Sequence, residues 1–333
     1  MRIIVDAYGG DNAPDAVLQG CRMAADRWKC EIILTGDEQK LRQRAAELSV
    51  SLEGIGIADA PDVIPVEAEP TAILKQYQQS SMARGLQMLA NGEGEAFVSA
   101  GSTGALVVGG TLIVKRLKGV KRPAIGTVIP CRGGCFLLLD SGANHDCRPE
   151  MLRQFGLMGS VYMKRIIGVP NPRVGLVNIG TEETKGTELQ VQAYQLMKEA
   201  GYNFIGNVEA REVPLGGCDV AVCDGFTGNI LLKTLEGLAA LFMGELKAIF
   251  MKSLPNKLAA AAVKKDIKGL KKQFDSAEYG GALLLGSRSP VIKAHGSSDA
   301  KAFYNAIRQA ISCCENNIIG EIESQLAVQT EEN

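Results

Sequence analysis

Short apolar runs recur along the chain, and each ends in a polar residue that glycine follows within three positions. The runs are Ile3–Val5, Ile32–Leu34, Ala96–Val98, Phe136–Leu139, Gly175–Val177 and Val220–Cys223. Because they are continuously apolar and do not alternate with polar residues, they predict strands buried on both faces, as in a parallel sheet. Segments with helical spacing follow several of them, which predicts right-handed β–α–β units.

Apolar residues at helical spacing predict the intervening helices. These are Glu38–Leu48, Ser80–Ala90, Pro149–Ile167, Thr187–Ala200 and Ser297–Ile319, with Asn12 capping a further helix that starts through Pro14 and Asp15. A longer helix begins near Gly228 and stops near Ser253–Asn256, and a second one continues to about Phe274. We therefore predict a three-layer α/β/α fold with a mostly parallel sheet. Residues 1–333 would form one large α/β domain, with a helical hairpin inserted at about 229–275.

Glycine makes up 38 of the 333 residues, and it falls mainly at the predicted carboxyl ends of strands, where open α/β sheets bind ligands. Four of these loops also contain Ser, Thr, Asn or Lys and precede a helix: Ser99–Gly104, Asn178–Gly186, Asp224–Asn229 and His295–Ser298. Exposed backbone N–H groups at helix N-termini attract anions. We therefore expect the four loops to form an anion site at one edge of the sheet, although such loops can also merely connect elements.

The net charge of −1 argues against a protein held on nucleic acid by bulk charge. It conceals an uneven distribution, because residues 245–275 contain eight Lys and three acidic residues, which leaves +5 on this segment and −6 on the remainder. With Phe250, Met251 and Leu254 at its apolar turn, the hairpin is suited to an anionic membrane or an acidic protein. The alternative is a solvated face opposite a dimer seam.

Nine cysteines, an odd number without a secretory signal, predict reduced thiols in a cytoplasmic protein. Cys131, Cys135 and Cys147 with His145 are a weak zinc candidate, because structural zinc sites favour two short Cys pairs. The sequence lacks a P-loop, a G-x-G-x-x-G after a strand, HExxH and G-x-S-x-G. We therefore expect neither a metal nor a cofactor. The uncharged stretch 96–114 is interpreted as a buried strand and a helix from about Gly104, since its Gly, Ser and Thr suit a membrane span poorly.

Nine ordered segments between Met1 and about Ile319 resemble the bacterial phosphate acyltransferase family (PlsX). They are Val5–Pro14, Ser99–Leu106, Arg122–Ile125, Leu137–Asn144, Asn178–Gly186, Gly206–Arg211, Asp224–Gly237, Tyr279–Gly286 and Val291–Ser298. The chain departs from the family at Tyr8 (usually Met), Asn12 (usually His) and Leu283 (usually Pro), and its run after Lys75 is less basic. The missing His argues against a required general base at position 12.

The resemblance implies a fold akin to phosphate acetyltransferases and isopropylmalate dehydrogenases, and a homodimer. It implies transfer of a long-chain fatty acyl group from acyl carrier protein to inorganic phosphate. The acyl phosphate would then serve a membrane glycerol-3-phosphate acyltransferase in phospholipid synthesis. The alternatives are a coenzyme A-dependent phosphate acyltransferase for short acids and an NAD- and metal-dependent decarboxylating dehydrogenase. A peripheral membrane adaptor that uses the basic hairpin is the alternative without enzymatic activity.

For acyl transfer we predict that Lys185 and the backbone N–H groups of Thr181, Gly228 and Asn229 bind phosphate. The side chains expected to polarise the thioester carbonyl are Asn144, Asn178, Asn229 or His295, oriented by Asp6, Asp224 and Glu183. Further substrate contacts are expected in the same loops, from Gly9, Gly10, Ser99, Ser102, Thr103, Thr227, Lys233 and Ser297. A covalent route through Cys223 is less favoured, because the neighbouring carboxylate raises the pKa of its thiol.

Overall fold

A computed structural model describes residues 1–273 and 276–331, and the strands in this part of the chain form one sheet of eleven. In chain order they are β1 (Arg2–Asp6), β2 (Glu31–Gly36), β3 (Ile55–Asp59), β4 (Ala96–Ser99), β5 (Ala124–Cys131), β6 (Gly134–Leu139), β7 (Val174–Asn178), β8 (Phe204–Glu209), β9 (Val220–Val222), β10 (Ala282–Leu285) and β11 (Val291–Lys293). Side by side they lie in the order β3-β2-β1-β4-β11-β10-β5-β6-β9-β7-β8.

Two parallel blocks make up most of the sheet, so the predicted mostly parallel sheet is confirmed. One block contains β3, β2, β1, β4 and β11, and the other contains β6, β9, β7 and β8. Between them, β10 runs antiparallel to both β11 and β5, and β5 runs antiparallel to β6. The blocks therefore point in opposite directions. The prediction that the glycine loops share one sheet edge is wrong, because the loops after β4 and β11 lie at the edge opposite to those after β7 and β9.

Helices follow most strands. They are α1 (Asp15–Arg27), α2 (Glu38–Glu47), α3 (Ser81–Ala90), α4 (Thr103–Leu112), α5 (Pro149–Tyr162), α6 (Glu188–Lys198), α7 (Gly225–Met251), α8 (Leu254–Ala262), α9 (Lys264–Gln273), α10 (Ala300–Glu315) and α11 (Ile318–Glu331). The interpretation of residues 96–114 as a strand and a helix is confirmed by β4 and α4.

Two helix predictions are wrong in detail. The predicted helix Ser297–Ile319 is divided into α10 and α11, because Asn317 adopts a left-handed conformation with φ of 45°. Asn12 does not cap α1, since its side-chain amide instead donates to the carbonyl oxygens of Ser297 and Ser298 at 3.1 and 3.3 Å. This contact joins the start of the chain to the loop after β11.

Apolar side chains cover both faces of the sheet, which confirms the three-layer arrangement. On one face a cluster that includes Ile3 and Val5 packs with residues of α1, α5, α10 and α11. On the other face, α3 and α4 cover a second cluster, and α7 covers a third through Leu231, Leu232 and Leu235. Alternate residues of β5 reach this second face, where Ile125 joins the second cluster and Ile129 the third. Thr127 lies between them and interrupts the apolar surface.

The helices α7 to α9 carry the segment predicted as a hairpin. Beyond its first three turns α7 exposes much of its surface, including Phe242, which is 70% exposed. At the turn into α8, Leu254 and Leu258 are 76% and 74% exposed. The predicted end of the second helix, at Phe274 and Asp275, lies outside the described residues. Across residues 1–273 and 276–331, no helix combines the length and the hydropathy that a membrane crossing requires.

Candidate functional site

A cleft of about 700 Å³ opens over β5 and β10, where the two blocks of the sheet meet. Its floor includes Thr127 and Ser141, whose hydroxyl oxygens are 2.7 Å apart. The other lining residues include Thr103, Ile125, Val128, Gly142, Asn229, Leu232, Lys233, Glu236, Lys293, His295, Ser297, Ser298 and Asp299. Of the predicted site residues, the cleft brings together Thr103, Asn229, Lys233, His295 and Ser297.

The first turn of α7 is held against the turn that follows β6. Asp224 caps the helix, accepting hydrogen bonds from Thr227 N and Oγ1 at 2.9 and 2.7 Å. Gly228 packs so tightly that a Cβ atom on it would lie 1.9 Å from the carbonyl oxygen of Asp140. This contact sets the position of the next residue, Asn229, in the cleft. Asp224, Thr227 and Gly228 therefore lie outside the cleft lining and support it, and their predicted roles toward the substrate remain predictions.

The turn after β6 is organised by the carboxylate of Asp140. It accepts hydrogen bonds from the backbone N–H groups of Ile125 and Asn144 at 3.0 and 2.7 Å, and burial nevertheless raises its pKa. The side-chain amide of Asn144 donates to Pro123 O at 2.8 Å and to Asp140 Oδ2 at 2.9 Å. Because both amide protons are used, Asn144 lacks a proton with which to polarise a substrate carbonyl.

Behind the opposite wall of the cleft lies Asp6, the last residue of β1. Its carboxylate accepts hydrogen bonds from the hydroxyls of Ser81 and Ser99, both at 2.6 Å, and burial raises its pKa. Gly9 is required beside it, since a Cβ atom there would lie 2.7 Å from Asp6 Oδ2. Ser102 caps α4 by accepting a hydrogen bond from Ala105 N, and the next residue, Thr103, lines the cleft. Asp6, Gly9, Gly10, Ser99 and Ser102 hold the wall rather than line it.

The loop after β11 presents His295 and Ser297 to the cleft. Ser297 N donates to His295 Nδ1 at 3.2 Å, and the Ser297 hydroxyl lies 2.8 Å from the same nitrogen. An Nδ1 that accepts a hydrogen bond places the proton of the neutral ring on Nε2. Asp299, next along the loop, caps α10 by accepting from Ala302 N at 2.8 Å. His295 is thus a hydrogen-bond donor through Nε2.

Lys293, the last residue of β11, lines the cleft and was missed by the sequence predictions. Its ammonium donates hydrogen bonds to the carbonyl oxygens of Ala100, at 3.2 Å, and Ala294. Burial lowers its pKa to about 8. The sequence feature that could have identified Lys293 is its position at the end of the short apolar run Val291–Ile292, directly before the His295 loop.

The loop after β7 does not contribute to the cleft lining. Asn178 closes this loop on itself, because its side-chain amide donates to Lys185 O at 3.0 Å and its Oδ1 accepts from Ile179 N at 2.8 Å. Glu183 accepts from Lys198 and Tyr194, both at 3.1 Å, on the surface of α6, and this holds its pKa below the usual range. The predicted roles of Asn178, Thr181, Glu183 and Lys185 therefore remain predictions.

The thiol of Cys223 is buried beneath the first turn of α7, 3.7 Å from the carbonyl oxygen of Asp140. Burial, and secondarily the nearby carboxylate of Asp224, raises its pKa well above that of a free thiol. Cys223 is not part of the cleft lining. For the described part of the chain, His, Cys, Asp and Glu side chains form no group of three or more suited to a metal ion.

Comparison by sequence finds relatives along the whole chain. The model of a family described as fatty acid synthesis protein matches residues 1–321. A phosphate acyltransferase from Clostridium acetobutylicum is 46% identical over 327 residues, covering 98% of this chain and 99% of the relative. A phosphate acyltransferase from Clostridium novyi is 45% identical over 327 residues, with 98% of each chain covered.

Comparison by structure finds the same architecture in more distant proteins. A phosphotransacetylase from Streptococcus pyogenes superposes with a TM-score of 0.64 at 16% identity, covering 95% of this chain and 94% of that chain. A putative 4-hydroxythreonine-4-phosphate dehydrogenase from Salmonella typhimurium gives 0.55 at 12% identity, covering 94% and 98%. At such identities the likeness shows the fold alone, and it confirms the predicted relation to the phosphate acetyltransferase fold.

Proposed function

Because the chain belongs to the phosphate acyltransferase family of fatty acid synthesis proteins, we propose that it transfers a long-chain fatty acyl group from acyl carrier protein to inorganic phosphate. The observation that carries this proposal is the composition of the cleft. Hydrogen-bond donors from Asn229, Lys233 and His295 face the same space as the apolar side chains of Ile125 and Leu232. Such a surface suits an anionic acceptor and the first carbons of an acyl chain at the same time.

The reaction requires little acid–base catalysis. A phosphate oxygen attacks the thioester carbonyl carbon, the carbon–sulfur bond breaks, and the thiolate of the carrier's pantetheine arm leaves and later takes a proton from water. Phosphate is already largely a dianion near neutral pH, and a thiolate is a good leaving group. The protein must therefore hold the two reactants together and stabilise the oxyanion that forms. Asn229 Nδ2 and His295 Nε2–H are the donors that we assign to the oxyanion.

Direct transfer is favoured over a covalent acyl-enzyme. The nucleophile of the covalent route would be Cys223, whose thiol is buried and whose pKa is raised by that burial. A thiol reacts as its thiolate, and this environment suppresses the thiolate.

Lys185 and Thr181 are proposed as additional phosphate ligands from a loop outside the cleft lining. The test is Lys185→Ala, assayed for its phosphate KM. A raised phosphate KM would support this role, and wild-type phosphate kinetics would refute it.

The acyl carrier protein is assigned to the lysine-rich helices α7 to α9, since carrier proteins are generally acidic. Lys247, Lys252 and Lys257 lie on this segment, and the pair Lys115–Arg116 is a second candidate surface. Binding through either surface should weaken as salt is added, because exposed charges are screened. Salt-insensitive binding would contradict both assignments.

The same helices carry the proposed homodimer and membrane contacts. The apolar residues Leu238, Leu241 and Phe242 of α7 are exposed and suit a second copy of the chain. Met251 and Leu254, exposed at the tip beside Lys252, suit the surface of an anionic membrane. A cytoplasmic protein touching the membrane in this way would deliver acyl phosphate to a membrane glycerol-3-phosphate acyltransferase for phospholipid synthesis.

The deciding experiment supplies the purified protein with palmitoyl carrier protein and inorganic phosphate, and measures acyl phosphate as the hydroxamate formed with hydroxylamine. Formation of acyl phosphate that depends on phosphate and on the protein is the expected result. Activity with acetyl-coenzyme A but not with the carrier would support the short-chain alternative. A large thermal stabilisation that requires both NAD and Mg²⁺ would support the dehydrogenase alternative instead.

A further inference from the structure

We propose that Lys293 is the residue that binds the phosphate acceptor in the cleft, through direct contact between its ammonium group and the phosphate. This inference rests on the proposed function and assigns its anion to one side chain. Lys293 lies opposite Ser99 across the β4–β11 pair, and Ser99 is hydrogen-bonded to Asp6 on β1. Three adjacent parallel strands therefore hold Lys293 at the edge of the cleft.

In the part of the chain that the structure describes, the ammonium group of Lys293 forms no ion pair. Its two hydrogen-bond acceptors there are the backbone carbonyls of Ala100 and Ala294, which leaves one ammonium proton for the cleft. Lys233, by contrast, is paired with Glu236 at 2.8 Å. Lys293 is partly buried. A charge withdrawn from water without an ion-pair partner costs free energy, so a cation kept in such a place indicates a ligand that compensates it.

The charged and polar groups around Lys293 indicate which ligand would compensate its charge. Asp6 from β1 and Asp11 from the following loop favour the charged form of Lys293 through space. Lys233 of α7 opposes the charged form, and His295 also lines the cleft. With burial lowering the pKa of Lys293 to about 8, a bound dianion would restore the proton.

A neutral thioester carbonyl is the competing ligand, and kinetics separate the two. If Lys293 binds phosphate in both the ground and transition states, Lys293→Met raises the phosphate KM with little change in kcat. Loss of a hydrogen bond between charged groups corresponds to a rise of about 10- to 150-fold. If Lys293 instead stabilises the oxyanion, kcat falls while the phosphate KM stays, and that result would overturn the proposal.

The pH profile gives an independent test. Above pH 8 the wild type loses the proton on Lys293, so its kcat/KM for phosphate should fall about tenfold per pH unit. Lys293→Arg keeps its charge throughout this range and should remain flat. Lys118→Met, which removes an exposed lysine far from the cleft lining, is the matched control and should follow the wild type. A wild-type profile without the decline, or the same decline in Lys293→Arg, contradicts the assignment.

Two further measurements keep the proposal testable by other means. Thermal unfolding of Lys293→Met should occur at no lower a temperature than in the wild type, because a partly buried charge without an ion-pair partner has been removed. Should this variant fail to fold, the pH profiles of the wild type and Lys293→Arg decide.

Calorimetry with inorganic phosphate at pH 8.5 tests Lys293 even if acyl transfer is not the activity. Binding of phosphate to the wild type should take up roughly three-quarters of a proton. Phosphate binding without proton uptake would refute the assignment of Lys293 and would leave the proposed function untouched.

Discussion

Gly228 lies where the first turn of α7 meets the turn after β6, and Gly228→Ala should force these two segments apart. The added Cβ atom would lie 1.9 Å from the carbonyl oxygen of Asp140, a separation that Cβ atoms essentially never show. Relieving this overlap requires a shift of about 1 Å or more, and overpacking of this kind costs about 1–3 kcal/mol. Because Asn229 moves with the helix, a shift of about 1 Å should lower kcat/KM for acyl transfer roughly 100-fold.

The matched control is Gly244→Ala in the same helix, where an added Cβ atom meets no atom within 4 Å. Alanine favours an exposed helix over glycine by about 1 kcal/mol, so this variant should be at least as stable as the wild type and equally active. Thermal unfolding and the hydroxamate assay are measured on both variants. If Gly228→Ala matched the wild type in melting temperature and in kcat/KM, the packing of α7 on Asp140 would not determine the site, and the reasoning would be refuted.

Three other variants test separate parts of the structure. Cys223→Ser should retain acyl transfer, because we propose that transfer is direct, and an acyl group trapped on Cys223 and seen by mass spectrometry would contradict this. Asp6→Asn should lower the free energy of unfolding by about 1–3 kcal/mol, because an amide accepts poorly where the carboxylate accepts from Ser81 and Ser99; an unchanged urea midpoint would count against that account. Leu254→Glu should reduce flotation with anionic liposomes without affecting folding, because Leu254 is 76% exposed, and equal flotation would exclude insertion through this turn.

Local apolar runs predicted six of the eleven strands in the described part of the chain, namely β1, β2, β4, β6, β7 and β9. The apolar run Ala96–Val98 predicts a strand, and the structure contains β4 there at Ala96–Ser99. The strands β3, β5 and β8 were missed because glycine or polar residues interrupt their apolar runs. The strands β10 and β11 were missed because β10 runs directly into Gly286 without an intervening polar residue and β11 begins with only two apolar residues. Lys293 was missed with them. Its cleft position depends on β11 pairing with β4, a contact between residues almost 200 positions apart.

The glycine loops show where sequence reasoning about the site reached its limit. Each loop followed a strand as expected, but strand direction depends on how distant segments pair, and the antiparallel strands β10 and β5 reverse it midway across the sheet. The loop that contains Lys185 therefore lies at the edge opposite to the loop that contains His295. A cleft still joins residues from both blocks, because α7 carries Asn229 and Lys233 across one face of the sheet.

The sequence by itself determined the layered α/β architecture, the position of most strands and helices, and the family, because these depend on local apolar runs and on ordered motifs. Only the tertiary structure decided which polar side chains line a common cleft and which form internal hydrogen bonds that support it. Asn144 and Lys293 illustrate the difference: one uses both amide protons internally, and the other keeps an ammonium proton for a ligand. The reason is physical, since the availability of a donor depends on burial and on partners that the chain brings together only when it folds.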